Sequence, residues 1–374
     1  MSILSLNDWF EDFGTGPVFI AGPCSAESEE QVLGTALSLK NSCKPSLFRA
    51  GIWKPRTRPG SFSGVGTKGL QWMAKVKKQT GMRLTVETAS PRHVEACLKA
   101  GIDVVWLGAR TVSNPFSVQE IAESLRGVDI PVLVKNPLHP DIDLWIGAIE
   151  RVNSAGIQKL AAVHRGFSPF ERTRYRNMPK WEIPIELRRR VKDIPVLCDP
   201  SHIAGASYLV ADLAQRAMDL NMDGLMIEVH HDPPAALSDS KQQLSPAEYC
   251  DIIKNLAIRR SKPEDPGFLD YLEELRNQVD SVDNQLIELL ARRLEIVDMI
   301  GEYKYENNVA VLQMDRWLEI LNTRLKQAGA SGLDRSFIEK YLKLIHQESI
   351  RRQTVIMQRL KEEKKGSGDN GPDN

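Results

Sequence analysis

No apolar run in this sequence approaches the roughly 20 residues that a bilayer span requires, so no membrane partner is expected. Net charge is missing too, since 49 Lys and Arg balance 49 Asp and Glu. A neutral chain offers no field to attract nucleic acid, and no such partner is expected. Cysteine is scarce. The five, at positions 24, 43, 97, 198 and 250, form no C-x-x-C pair and no even framework. That fits a reducing cytoplasm and leaves any special cysteine as a ligand or nucleophile. Met1–Gly16 holds acids but no basic residue, so it lacks the n-region of a secretory signal, and a cytoplasmic protein is expected. What is present is an ordinary globular composition and enough length, 374 residues, for two domains.

Up to about residue 260 one pattern recurs: a short apolar or β-branched run, a polar loop, then a helical stretch. The runs are Val18–Ala21, Leu47–Ala50, Arg83–Glu87, Val104–Gly108, Val132–Lys135, Lys159–Val163, Val196–Asp199 and Leu225–Val229. They lack polar alternation and so read as strands buried on both faces, the habit of parallel sheets. Eight such units over roughly 250 residues predict an α/β fold, a (β/α)8 barrel, over residues 1–258. An open doubly wound sheet competes, but no G-x-G-x-x-G follows the first strand. The charged stretch Arg259–Gly267, with two prolines, reads as a linker. Residues 268–361 change character and predict an all-α domain. One long helix is expected over Phe268–Glu306, with an apolar stripe of Leu269, Leu272, Leu275, Val279, Val282, Leu286, Leu290, Val297 and Ile300. A second is expected over Asp315–Gln327. Gly329 and Gly332 should break the chain before a third, about Asp334–Leu360. The polar end, 362–374, is expected to be disordered.

Reactive groups of such barrels sit where the strands end. Here the strand ends read Gly22-Pro23-Cys24-Ser25, Arg49 with Lys54-Pro55-Arg56-Thr57 beyond it, Glu87, Gly108-Ala109-Arg110, Lys135-Asn136, His164-Arg165-Gly166, Asp199-Pro200-Ser201-His202 and Glu228-Val229-His230. A single strand-end arginine is ordinarily a solvated charge. Eight such ends converging on one rim are a poor accident. Arg49, Lys54, Arg56, Arg110, Lys135 and Arg165 would make a cationic cavity suited to phosphate and carboxylate. Cys24, His202, Glu228 and Asp239 combine one soft, one borderline and two hard donors, a set for a divalent first-row transition metal. The plainer reading of Cys24 is a small buried apolar side chain. His230, His231 and Cys198 are rival ligands, although Cys198, next to Asp199 on a strand, should face away from the barrel interior.

The loops GPCS, KPRT, GAR, VKN, HRG, DPSH and ALSD (Ala236–Asp239), in this order over about residues 15–260, resemble the DAHP synthases of type I, β branch. That resemblance implies condensation of phosphoenolpyruvate with erythrose 4-phosphate to 3-deoxy-D-arabino-heptulosonate 7-phosphate (DAHP). It implies Cys24, His202, Glu228 and Asp239 as metal ligands, with manganese foremost and iron, cobalt or zinc as alternatives. It also implies Arg110 and Arg165 at the phosphoenolpyruvate phosphate, and Arg49, Lys54 and Lys135 at its carboxylate. Asp199 counts among the substrate-binding residues, and Arg56 and Thr57 would hold the erythrose phosphate, with Arg58 where a serine is usual. Glu87 is a candidate to position water, and Lys54 and His202 to assist proton transfer. The related synthases that use arabinose 5-phosphate lack the KPRT loop and rank behind.

At 1.5 Å per residue the long helix would measure about 58 Å, too long for a compact domain of its size, and an intertwined dimer follows as the expectation. A plain dimerisation bundle without chemistry is the bland alternative. At 100° per residue Arg293 and Lys304 lie about 20° apart on one face, while Arg276 lies roughly 100° from Arg293 and could serve a partner's pocket. Ser349 and Gln353, at i and i+4, share a face. The series Arg276, Arg293, Lys304, Arg316, Ser349 and Gln353 resembles the all-helical chorismate mutases. The resemblance implies Arg276 and Arg293 as carboxylate clamps, Lys304 and Gln353 as donors to the ether oxygen, and Arg316 and Ser349 as further substrate contacts. Trp317 stands where many members have a glutamate that binds the substrate hydroxyl, and Gln313 where an aspartate is common. A bifunctional homo-oligomer is expected, a dimer through the helical domain or a tetramer, allosterically regulated by chorismate or prephenate. The alternative is a DAHP synthase whose helical domain only assembles the oligomer or senses those compounds.

Overall fold

The computed structural model describes residues 1–54, 62–170, 173–259 and 266–366. The chain divides into two compact units, Met1–Ser261 and Lys262–Asn374. In the first, β1 (Val18–Gly22), β2 (Leu47–Ala50), β3 (Arg83–Thr88), β4 (Val104–Leu107), β5 (Val132–Lys135), β6 (Leu160–His164), β7 (Val196–Cys198) and β8 (Gly224–Glu228) form a closed, all-parallel barrel in chain order. β8 pairs back to β1 with Val18 opposite Gly224 and Gly22 opposite Glu228. Every strand begins and ends within one residue of its expected span.

Ten helices cover the outside among the described residues: α1 (Glu29–Ser42), α2 (Lys68–Thr80), α3 (Pro91–Lys99), α4 (Ala109–Val112), α5 (Pro115–Ser124), α6 (Ile142–Ser154), α7 (Glu182–Arg190), α8 (Pro200–Ala204), α9 (Val210–Asp219) and α10 (Pro246–Asn255). Their starts are written locally. Ser28, Ser90, Asn114, Asp141, Asp199 and Ser245 each cap a helix by accepting from a backbone N–H of its first turn, four of them followed directly by proline.

Strand alternation sorts the apolar residues into two layers. Ala161 and Val163 of β6 point inward with Ile20, Trp106, Leu197 and Met226, whereas Leu160 and Ala162 face the helices. Cys198 belongs to the outer layer and cannot join a site inside the barrel. Leu6, Trp9 and Phe13 pack with Val18, Leu47 and Val104, the first residues of their strands, so the N-terminal segment plugs the end opposite the reactive rim. At that rim β1 and β2 come very close. Gly22 has φ +146°, and a Cβ there would stand 2.1 Å from the Arg49 carbonyl oxygen.

The second unit consists of α11 (Pro266–Glu306), α12 (Met314–Ala330) and α13 (Arg335–Gly366). α11 and α12 both pack on α13. Two boundaries differ from expectation. The second helix runs through Gly329, and the chain turns at Gly332, whose φ of +73° suits glycine. The third continues five residues into the stretch expected to be disordered, since Lys361–Lys364 are good helix formers. Residues 260–265 of the expected linker and the tail from 367 lie outside the described residues, while Pro266 and Gly267 already belong to α11. Of the nine-residue apolar stripe on α11 only Val297 is buried. No described helix is long and apolar enough to cross a membrane.

Gly22→Ala is expected to destabilise the barrel by about 2 kcal/mol or more, because backbone strain is added to a clash with a strand that cannot retreat. Urea unfolding followed by tryptophan fluorescence measures it, and an unchanged barrel transition would show that β1 and β2 can separate freely.

Candidate active sites

One cavity opens at the C-terminal ends of the strands. Arg49, Lys54, Glu87, Arg110, Lys135, Arg165, Arg176, His202 and Asp239 line it. Strand ends deliver three of them, Arg49 from β2, Glu87 from β3 and Lys135 from β5, while Arg110 and His202 stand on α4 and α8. Trp106 of β4 forms the apolar floor, with the Arg49 guanidinium 5.0 Å and the Lys135 ammonium 5.9 Å from its ring centre. Gly108 makes room for Glu87, since a Cβ at 108 would stand 2.0 Å from Glu87 Oε1.

The charges are paired across the cavity. Arg49 donates to Glu228 at 3.1 Å, Lys135 to Asp199 at 2.6 Å, Lys54 to the Cys24 sulfur at 3.1 Å, and Arg176 reaches Asp239 at 3.0 Å. Burial works against the charge of Arg49, but Glu228, Asp199 and Cys24 more than offset it and its pKa is raised. Lys135 goes the other way: burial dominates and its pKa falls despite Asp199. Arg49 Nε and Nη1 are buried without a hydrogen-bond partner, two guanidinium donors available for a carboxylate. On the opposite wall burial pushes Arg165 down to about 10, with Arg176 and Arg110 as repelling neighbours. Three cations crowded in this way form a cradle that a phosphate would relieve. Asn136 accepts from the Arg165 backbone N–H at 2.7 Å, and Asn177 accepts from the Arg165 side chain at 2.9 Å, so the cradle is held in place.

Donor atoms of Cys24, Glu228 and Asp239 lie within 4.8 Å of one another. His202 falls outside that set, although its Nε2 is 3.7 Å from Glu228 Oε1. Its Nδ1 stands 2.8 Å from Asp199 Oδ2, close but angled off a straight hydrogen bond. Asp199 also accepts from the His202 backbone N–H at 3.0 Å, so one carboxylate places both the ring and its loop. Burial, with Glu228 next, pushes the Cys24 thiol up to about 12, and it donates to Asp239 at 3.3 Å. Burial and His202 lead the influences on Glu228, whose pKa is lowered on balance. A buried thiol between two ionised carboxylates, with an imidazole at the edge, is a donor set that fits a divalent transition metal, which would replace the thiol proton.

The rival ligands turn away. His230 accepts on Nδ1 from the Asp232 N–H at 2.9 Å and its Nε2 faces Glu27 at 3.8 Å, and His231 stacks on His230 with ring centres 4.7 Å apart. Arg56 and Thr57 lie outside the described residues. Three contributors were not read from the sequence. Arg176 sits in the loop after β6, Gln242 bridges Arg176 at 2.7 Å and Glu228 at 2.6 Å, and Gln243 accepts from the Cys24 N–H at 3.0 Å. The one available signal was the basic run before Asn177, which has no helical period.

In the helical unit Arg293 donates to Ser349 at 2.8 Å, and Gln353 is buried with Oε1 unpartnered. The backbone of Gln353 faces Gly301, where a Cβ would stand 3.2 Å from Gln353 Cα. Lys304 donates to the Val311 carbonyl at 2.6 Å. His346 feels the charges of both Arg293 and Lys304, so the three form one cluster. Arg276 and Arg316 are not part of it. Arg276 is exposed beside Glu273 at 3.6 Å, and Arg316 is exposed beside Glu319 at 2.6 Å. Seventeen residues separate Arg276 from Arg293 on one helix, about 25 Å, so no pocket in a single chain can use both.

The DAHP synthetase I family model matches residues 11–259, and the model for chorismate mutase type II matches residues 275–354. The chain is 31% identical over 237 residues to a phospho-2-dehydro-3-deoxyheptonate aldolase of Thermotoga maritima, covering 63% of this chain and 68% of that one. It is 29% identical over 240 residues to a 2-dehydro-3-deoxyphosphooctonate aldolase of Polaromonas naphthalenivorans, covering 59% of this chain and 82% of that one. The T-protein of Haemophilus influenzae is 33% identical over 83 residues, which is 22% of each chain. A Thermotoga maritima DAHP synthase crystal structure superposes with a TM-score of 0.57 at 29% identity, covering 64% of this chain and 67% of that one. A closed parallel barrel with this rim, followed by a three-helix unit, is therefore no isolated design: the chain belongs to the DAHP synthetase I family and carries a type II chorismate mutase domain behind its barrel.

Proposed function

We propose that the barrel condenses phosphoenolpyruvate with erythrose 4-phosphate through the rim residues described above, and that the helical unit rearranges chorismate to prephenate in a pocket completed by a second chain. The observation that carries the first half is a single cavity lined by the cations Arg49, Arg110, Lys135, Arg165 and Arg176, which Asp239 joins to the buried donors Cys24 and Glu228. Arg110 and Arg165, with Arg176 beside them, take the phosphoenolpyruvate phosphate. The unpartnered donors of Arg49, with Lys135, take its carboxylate. Cys24, Glu228 and Asp239, with His202 closing in, would hold manganese or a similar divalent ion, which when bound would polarise the aldehyde oxygen of the sugar. Lys54, hydrogen-bonded to Cys24, and His202 stand where that oxygen would lie and can pass it a proton. Glu87, given room by Gly108, holds the water that adds at C2 before phosphate leaves. The floor of Trp106 keeps bulk water out from below.

Chorismate rearrangement is unimolecular and needs only a shaped cationic pocket. Arg293 clamps a carboxylate, and Lys304 and Gln353 face the ether oxygen. The exposed stripe Leu275, Val279, Val282 and Leu286 supports a dimer in which Arg276 enters the partner's pocket. Such a chain would act in the cytoplasm, with prephenate acting on the barrel through the mutase pocket.

Cys24→Ala should lose bound metal and DAHP synthase activity together while chorismate turnover survives; metal analysis and the two assays check it, and a metal-replete active variant would mean the donor set is wrong. With arabinose 5-phosphate as the only aldehyde, product should form at a small fraction of the erythrose 4-phosphate rate, and a preference for the five-carbon sugar would reverse the substrate assignment. Prephenate should slow DAHP formation in the full chain but not in Arg293→Ala or in a chain ending near Lys262; equal inhibition of the shortened chain would place the sensor elsewhere.

A further inference from the structure

Among the described residues, the groove beside Lys304 is lined by Ile296, Met299, Ile300, Tyr303, Asn307, Val309 and Gln313 and by no carboxylate. The position where a hydroxyl-binding acid is usual holds Trp317, which turns its ring toward α13. There it lies flat on His346, with ring centres 3.8 Å apart and planes 9° from parallel. His346, Ser349 and Gln353 occur at i, i+3 and i+7 on α13, within an arc of about 60° on one face. Ser349 accepts from Arg293 and Gln353 is buried against Gly301, so that face lies against α11 at the proposed carboxylate clamp. His346 Nε2 is buried there with no hydrogen-bond partner, as is Gln353 Oε1. A buried polar atom normally has a partner, and two orphans on the same helical face point to a ligand that supplies one.

We infer that His346 is a substrate-contacting residue of the mutase pocket, and that its neutral imidazole accepts the hydrogen bond of the substrate's ring hydroxyl in place of an acidic side chain. This rests on the mutase reading above. The choice of acceptor follows from the surroundings. Arg293 and Lys304 already supply positive charge, so a cationic imidazole would add repulsion and leave the hydroxyl without an acceptor. Burial and those two cations lower the His346 pKa, which keeps the ring neutral at physiological pH. The stack on Trp317 fixes the ring plane, so Trp317 acts as a positioning residue. A neutral acceptor also spares the pocket the desolvation cost of a buried carboxylate.

The test compares wild type, His346→Phe and His346→Gln as full-length chains, with chorismate as substrate and the helical content by circular dichroism, with its thermal transition, as the folding control. Phenylalanine keeps the stack and removes the nitrogen, and kcat/KM should fall by about tenfold or more. Glutamine offers an acceptor oxygen and should recover part of that loss. In wild type, kcat/KM should decline as the pH falls below the ordinary imidazole range and the ring protonates, and the phenylalanine variant should be flat over the same range. The other charged groups facing His346 are Arg293 and Lys304 of α11, which stay protonated throughout; Trp317 of α12 and Ser349 and Gln353 of α13 do not titrate. Wild-type efficiency in His346→Phe, or an acid decline that persists in it, overturns the inference while leaving the mutase reading intact. A wild-type chain that fails to turn over chorismate overturns both.

Discussion

Arg49, Lys135, Lys54 and Arg176 pair with Glu228, Asp199, Cys24 and Asp239 at the mouth of a closed apolar barrel, and each buried group depends on its partner there. Arg49 and Glu228 are 1% and 0% exposed, and Lys135 and Asp199 are 6% and 0% exposed. Pairs this deep recover a desolvation penalty of several kcal/mol per ion only if geometry and further hydrogen bonds are good. The barrel supplies that geometry. Strand register sets Gly22 beside Glu228, Gly22 admits the Arg49 backbone, and the Arg49 side chain returns to Glu228. Gln242 occupies the second oxygen of Glu228, and Ser201 holds its backbone N–H. The site is thus assembled before any substrate arrives, and its donors need little rearrangement.

The same pairing explains how one cavity can hold two opposite chemistries. Cations and acidic groups meet there as direct pairs, Arg49 with Glu228, Lys135 with Asp199 and Arg176 with Asp239, so neither set is left uncompensated. Asp199 links the two, since it fixes Lys135 and also orients His202. Arg176 is a second link, between the phosphate cradle and Asp239.

The helical unit follows another logic. Its chemistry needs shape and positive charge, so it tolerates a small core. Val297, Leu325, Ala328 and Ile356 are its buried apolar residues among those described. Most of the apolar face of α11 is exposed. The unit's buried polar side chains among those described, Ser349 and Gln353, lie on the face of α13 that meets Arg293 and Gly301 of α11.

Much of this was readable along the chain. Parallel strands buried on both faces leave continuous apolar runs, and a barrel places the residue after each run on one rim, so strand spans and rim residues such as Arg49, Lys135, Asp199 and Glu228 follow from order alone. Cys198 could be assigned to the outer layer because strand side chains alternate. Helical period likewise put Arg293 with Lys304 and Ser349 with Gln353. Partnerships between loops carry no period, so Arg176, Gln242 and Gln243 became visible only once the chain had closed on itself. His346 lies on the same helical face as Ser349, yet nothing in its own helix marks it. Only the packing of α12 sets Trp317 against it and leaves its nitrogen buried and unpartnered. Sequence determines what each element is and which way its side chains point; which of those side chains meet depends on the distances that folding alone creates.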